Sequence, residues 1–186
     1  MRVLYGRYYG ARYKAVAAHV PQGASVLELC CGPGGLYLRR LRTRTSSYVG
    51  LDANAGFVAG LRRRGVDARV ADVETADLPR ADVVVMQASL YHFLPEDRAA
   101  ALVERMRAAA KRRVVISEPV RNLASSRIPL VARLAARGAA TADGEQAQRF
   151  DEASLRAFME RFGPAVLAVA PAPYGRDQLC ILLGTP

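Results

Sequence analysis

The run Asp82-Val83-Val84-Val85-Met86 constrains the fold more than any other stretch of the chain. Its near-continuous β-branched character suits a strand buried on both faces of a parallel sheet. Four more short apolar runs share the pattern: Val26–Cys30, Tyr48–Leu51, Ala68–Ala71 and Arg113–Ser117. Helix-like stretches separate them, from Gly34 to Arg44, Ala55 to Arg64 and Pro95 to Ala110. Pro95 near a first turn, followed by Glu96 and Asp97, suits a helix N-terminus. Five βα-type units of this kind predict a doubly wound, mostly parallel sheet.

After Ser117 the alternation loosens. Asn122 to Arg137 reads as a helical excursion and Gly138 to Gln148 as a polar loop. Asp151 can cap a helix that stops at Gly163-Pro164. Val166–Ala170 and Leu179–Leu183 then lie too close together for a helical crossover, so they should pair antiparallel. The expected fold is α/β: a seven-stranded doubly wound sheet ending in an antiparallel hairpin. It forms a single domain over 1–186, with 1–22 as an N-terminal helical lid and 119–150 as a helical insertion on the substrate side. Tyr5, Tyr8, Tyr9 and Tyr13 have roughly helical spacing, which fits a lid or an aromatic stripe packed on the sheet.

Ligands of such sheets bind at the carboxyl ends of the strands. Gly32-Pro33-Gly34-Gly35 follows the first strand and opens a helix, so a ligand can approach its backbone closely. A dinucleotide fingerprint read from Gly32 needs a glycine where Tyr37 stands. Glu28 on the incoming strand also disfavours a pyrophosphate, whereas it suits a cationic ligand. Two more acids stand at strand ends. Asp52 can accept both hydroxyls of a ribose, and Asp72 can accept from an adenine amino group with Val73 against the ring. Cys30 and Cys31 have no partners at zinc spacing, so they read as small packing residues and no metal is expected.

These motifs resemble the class I S-adenosylmethionine-dependent methyltransferases over nearly the whole chain. Glu28 to Gly35 looks like their first motif, Tyr48 to Asp52 like their second-strand segment, and Ala71-Asp72-Val73-Glu74 like their adenine segment. Gln87 to Phe93 is similar to the fourth-strand loop of the small-molecule members. The resemblance implies a Rossmann-like methyltransferase fold binding S-adenosylmethionine and releasing S-adenosylhomocysteine. It places Glu28, Gly32 and Gly34, bordered by Cys30 and Cys31, around the methionine end. Asp52 with Ala53 would hold the ribose, Asp72 and Val73 the adenine, and Gln87 would border the cofactor. One departure stands out: Cys30 occupies the position of the family's usual first glycine.

In-line methyl transfer needs alignment and exclusion of water, and a base only where the nucleophile must lose a proton. His92, in the loop after the fourth strand, is the candidate base, substrate contact or packing residue, and Tyr91 is the weaker alternative. Tyr9, Glu118 and Arg121 are the candidate substrate residues. The fourth-strand loop lacks the Asn/Asp-Pro-Pro-aromatic tetrad that resemblance would link to amino groups of nucleobases and glutamine. A small-molecule acceptor is therefore expected, with an RNA or nucleotide methyltransferase, or a non-catalytic cofactor-binding subunit, as the alternatives.

Composition bears on partners. The net charge is +10, and arginine supplies all but Lys14 and Lys111 of the 27 basic residues. Many arginines fall on outer helix faces, from Arg39 to Arg44 and from Arg62 to Arg64, with no interleaved aromatics for base stacking. A solvated surface is the favoured reading and a nucleic-acid partner the other. Three cysteines, two of them adjacent, fit a reducing cytoplasm better than a disulfide framework. No window is apolar enough to span a membrane, the N-terminus lacks a signal core, and a monomer or homodimer is expected.

Overall fold

The computed structural model describes residues 9–120, 149–173 and 176–185. Its elements run α1 (Tyr9–Ala17), β1 (Ser25–Leu29), a π-helical turn (Tyr37–Leu41), β2 (Ser47–Asp52), α2 (Ala55–Arg62), β3 (Ala68–Val70) and β4 (Ala81–Gln87). A 3-10 turn (Leu90–Phe93), α3 (Glu96–Ala109), β5 (Ala110–Pro119), α4 (Glu152–Glu160), a second 3-10 turn (Gly163–Ala165), β6 (Val166–Pro171) and β7 (Asp177–Leu183) complete it.

One seven-stranded sheet has the order β3-β2-β1-β4-β5-β7-β6. The first five strands pair in parallel, while β7 runs antiparallel to β5 and β6. The expected parallel sheet and closing hairpin are both present. Strand order reverses between β1 and β4, so the crevice for a ligand opens at their carboxyl ends.

The valine run of β4 is buried on both faces, as its composition requires. Val84 and Met86 join Leu27, Leu29, Ile116 and Leu182 beneath α3 and α4, where Leu102, Met106 and Phe158 close the layer. Val83 and Val85 join Val26, Val115 and Ile181 on the opposite face, under α1 and α2, with Val16, Val58 and Leu61. At roughly 25 cal/mol per Å² of apolar surface, this two-sided burial is the main force holding the strand ends in place.

Local signals account for the termini of several elements. Asn54 caps α2 by accepting from Gly56 N at 2.9 Å and Phe57 N at 3.1 Å. Asp151 and Ser154 form a reciprocal capping box on α4.

Two expectations are corrected. The helix expected from Gly34 to Arg44 is shorter and widens into the π turn, closed by Arg42 N donating to Tyr37 O at 3.0 Å. The third βα unit has no helix. Asp72 accepts from Glu74 N at 3.0 Å and from the Thr75 hydroxyl at 3.3 Å, and its carbonyl takes Thr75 N and Ala76 N. That turn and Pro79 leave the chain no room to propagate a helix before β4. Tyr5, Tyr8, Arg121 and the segments expected at Asn122 to Arg137 and 138–148 lie outside the described residues.

Candidate functional site

The carboxyl ends of the parallel strands bring most of the expected residues to one edge of the sheet. Asp52, the last residue of β2, ties that edge together. Its Oδ2 accepts from Gly32 N at 2.7 Å and its Oδ1 from Asn54 N at 2.8 Å. Its carbonyl takes Ala71 N at 3.1 Å, while Leu51 O takes Cys31 N at 3.0 Å. The glycine loop, the start of α2 and the chain leaving β3 are thus all referenced to one residue. Ala53 stands exposed beside it.

The glycines of the loop have separate reasons. Gly32 has φ 54° and Gly34 φ 71°, a region that disfavours side chains. Around Gly32 nothing lies within 4 Å of where a Cβ would stand, so its backbone faces open space. A Cβ on Gly34 would instead collide with the Leu61 side chain, and one on Gly35 with the Tyr13 ring and hydroxyl. Gly34 and Gly35 therefore let α2 and α1 close on the loop.

Cys30 stands where a glycine was expected and is itself left-handed, with φ 52°. Ala88, at the end of the adjacent β4, has φ 50°. Holding an L residue there costs on the order of 1–2 kcal/mol, so the strain falls on both sides of the switch point. Burial, then nearby Asp52, pushes the Cys30 thiol up to about 12; burial raises Cys31 as well. Both are protonated near neutrality, which suits packing residues and not nucleophiles.

Glu28 lies beneath the loop on the α1 side, buried, and accepts from the Tyr48 hydroxyl at 2.7 Å. Tyr48 in turn stacks on Tyr37 with centroids 4.0 Å apart. Burial pushes the Glu28 carboxyl up to about 8 against the opposing effect of Tyr48. The expected acid is present, yet near pH 7 it is mostly neutral. It braces the loop from below and does not offer a free negative charge.

At the other strand ends, Asp72 is exposed and holds its own turn, while Val73 is turned into the core beneath α3. Gln87 ends β4 half-buried, with no partner for its Nε2 among the described residues. The following turn carries Tyr91 and His92. His92 is exposed, its ring 4.0 Å from that of Tyr91. The Arg149 guanidinium lies 4.1 Å from the Tyr91 ring centroid, and burial raises the Tyr91 hydroxyl.

Glu118 corrects its expected place at the open mouth. It is 1% exposed, and its Oε2 accepts from Leu90 N at 3.1 Å, fixing the turn that carries Tyr91 and His92. Burial raises its carboxyl to about 8. Tyr9 opens α1, but its side chain, like Arg121, is outside the described residues. Four residues of this edge went unforeseen. Arg12 of α1 is buried against Asp177 of β7, with Nε to Oδ2 3.3 Å. Ser117 donates to the same oxygen at 3.2 Å, and Gln178 lies beside Glu118 in the β5–β7 register. The available signal was a polar pair, Asp177-Gln178, opening an otherwise apolar strand. Arg39, Arg40, Arg42, Arg63 and Arg64 are exposed, and among the described residues no cluster of three or more metal-ligating side chains occurs. No described helix is long and apolar enough to cross a membrane.

Known proteins agree with this architecture. Residues 26–113 match the family model described as a methyltransferase domain. Trans-aconitate 2-methyltransferase of Mycolicibacterium gilvum (strain PYR-GCK) is 41% identical over 97 residues, covering 49% of this chain and 35% of that protein. The chain thus matches only about a third of the length of this curated relative. Magnesium protoporphyrin IX methyltransferase from Synechocystis PCC 6803, solved with bound SAH, superposes with a TM-score of 0.67 at 16% identity, over 95% of this chain and 84% of that one. Mitomycin 7-O-methyltransferase gives a TM-score of 0.69 at 17% identity, over 97% and 55%. The methyltransferase-domain match runs from β1 into β5, and the solved methyltransferases share the fold over most of the chain.

Two outcomes follow from the loop and the acid below it. In denaturant titrations, Gly32→Ala should cost about 1–2 kcal/mol from backbone strain alone, and Gly34→Ala more, because it adds the collision with Leu61; equal costs would contradict the packing account. Glu28 keeps its proton when folded, whereas the unfolded chain loses it near the ordinary 4.5. Stability should therefore fall as pH rises from about 4.5 to about 8, by up to roughly 1.4 kcal/mol per pH unit for this group. Glu28→Gln should remove this group's share of that slope and leave the share of buried Glu118, and an unchanged slope in thermal melts against pH would contradict the assignment.

Proposed function

We propose that this chain transfers a methyl group from S-adenosylmethionine to a small-molecule acceptor. The observation that carries the reading is the Asp52–Gly32 clamp at the switch point, in a segment that matches a methyltransferase domain. The residues present fit the cofactor. Gly32 offers backbone with open space beside it, Gln87 holds a donor with no partner among the described residues, and Asp52 is only half-buried.

Each Asp52 oxygen spends one lone pair on a main-chain N–H and retains capacity for a ribose hydroxyl. Asp72 retains the same capacity for an adenine amino group, with Val73 below it. Gly32 and Gly34, flanked by Cys30 and Cys31, form the wall at the methionine end, and Glu28 keeps that wall rigid from beneath. S-adenosylmethionine, when bound, supplies a methyl group on a sulfonium that leaves as a neutral thioether. Around that reaction the chain's own tasks are alignment and exclusion of water.

His92, on the turn fixed by Glu118, takes the acceptor's proton where the nucleophile carries one, and Tyr91 walls the same approach. A small acceptor is supported by the names of the relatives, a trans-aconitate 2-methyltransferase and a mitomycin 7-O-methyltransferase.

Calorimetric titration should show Asp52→Ala weakening S-adenosylmethionine binding about 10- to 100-fold, the value of one or two hydrogen bonds to a charged group. Unchanged affinity would reject the ribose role. His92→Ala should retain cofactor binding and lose about 100-fold or more in methyl transfer, in the range of a general base; full activity would reject that role.

A further inference from the structure

Among the described residues, five buried side-chain polar atoms at one end of the sheet have no hydrogen-bond partner: Gln87 Nε2, Glu118 Oε1, Asp177 Oδ1, and both Nε2 and Oε1 of Gln178. All four residues lie within the last two positions of β4 and β5 or the first two of β7, three adjacent strands. A buried polar atom without a partner costs on the order of 1–3 kcal/mol, and native proteins keep few of them. Their concentration here, at the ligand end of the sheet, is therefore informative.

Gln178 is the most telling. It is 1% exposed and sits directly opposite Glu118 in the antiparallel β5–β7 pair, on the same face. Side chains so placed lie near 5 Å apart at Cβ, close enough to bond one another, yet neither does. Reversing the amide would change nothing, because both of its polar atoms are unpartnered. Glu118 spends Oε2 on Leu90 N, the turn that carries Tyr91 and His92, and leaves Oε1 over.

Resting on the methyl-transfer reading, we propose that Gln178 and Glu118 form an acceptor-recognition pair for a polar, oxygen-rich small molecule, bonding its hydroxyl or carboxyl groups. The carboxamide offers a donor and an acceptor in one plane, and Glu118 Oε1 a third position. Gln87 pairs with Ser117 on the opposite, α1-side face and stands apart from this pair. An apolar ring would leave all of the pair's atoms unsatisfied and is disfavoured on that ground.

The test supplies tritiated-methyl S-adenosylmethionine and the full chain with two small-molecule fractions of a cell extract, one water-soluble and one taken up in organic solvent. Label should enter water-soluble acceptors. Gln178→Leu, which keeps the volume and removes both polar atoms, should raise KM for the labelled acceptor at least tenfold, with S-adenosylmethionine affinity within twofold of wild type and a melting temperature no lower. Should that variant fail to fold, Glu118→Gln, which still presents an oxygen to Leu90 N, gives the same readout. Label only in the organic fraction overturns the proposal. So does an unchanged KM, and an unchanged KM with a lowered melting temperature would mean that these atoms hold a structural water only. No label in either fraction with S-adenosylmethionine still bound overturns this proposal and the methyl-transfer reading together, whereas label indifferent to Gln178 overturns this proposal alone.

Discussion

The Asp52 carboxylate is the contact on which the rest of the edge depends. One side chain fixes Gly32 of the loop and Asn54 of the next helix cap, and its own carbonyl fixes the chain leaving β3. Three connections that have no sheet partners of their own thereby acquire a common reference. A charge-assisted hydrogen bond to a main-chain N–H is stronger than a neutral one. Asp52 therefore sets the shape of the loop as well as offering oxygens to a ligand. The same clamp explains why the loop can carry left-handed Cys30: the neighbouring bonds, Cys31 N to Leu51 O and Gly32 N to Asp52, hold the strained residue from the other side.

Beneath that edge, charge is arranged economically. Glu28 and Glu118 are both buried and both hold their protons to about pH 8. Each braces a site segment, Glu28 through Tyr48 under the loop and Glu118 through Leu90 under the following turn. On the α1 face, Arg12 and Asp177 compensate each other, with Ser117 as a third partner. A buried pair of this kind adds little net stability but is costly to break, so it fixes α1 on the sheet beside the loop. The unpartnered atoms at the ends of β4, β5 and β7 run against fold stability, a pattern expected where a surface is built for a ligand.

Much of this was legible in the residues. The valine run of β4 announced a two-sided strand, and the spacing of Asp52 and Asp72 placed both acids at strand ends. The short gap before Leu179 required a hairpin. These are local signals, set by periodicity and chain length. The direction of Glu28 and Glu118 was not legible, because whether a strand-end acid faces open space or a covered layer depends on the helices packed over it. Asp177 and Gln178 were missed for a related reason. Their meaning comes from antiparallel register with Pro119 and Glu118, which no local pattern encodes. After β3 the turn bonds of Asp72 to Glu74 and Thr75, followed by Pro79, leave no helix before β4.

The central claim is that the segment from Glu28 to Gly35, clamped by Asp52, is shaped for a methyl donor and not for a dinucleotide. A competition titration on the wild-type chain tests it most directly. Isothermal calorimetry should show one saturable site for S-adenosylmethionine that S-adenosylhomocysteine blocks and NAD leaves untouched. Saturable binding of NAD at that site, or no binding of S-adenosylmethionine, would contradict the account.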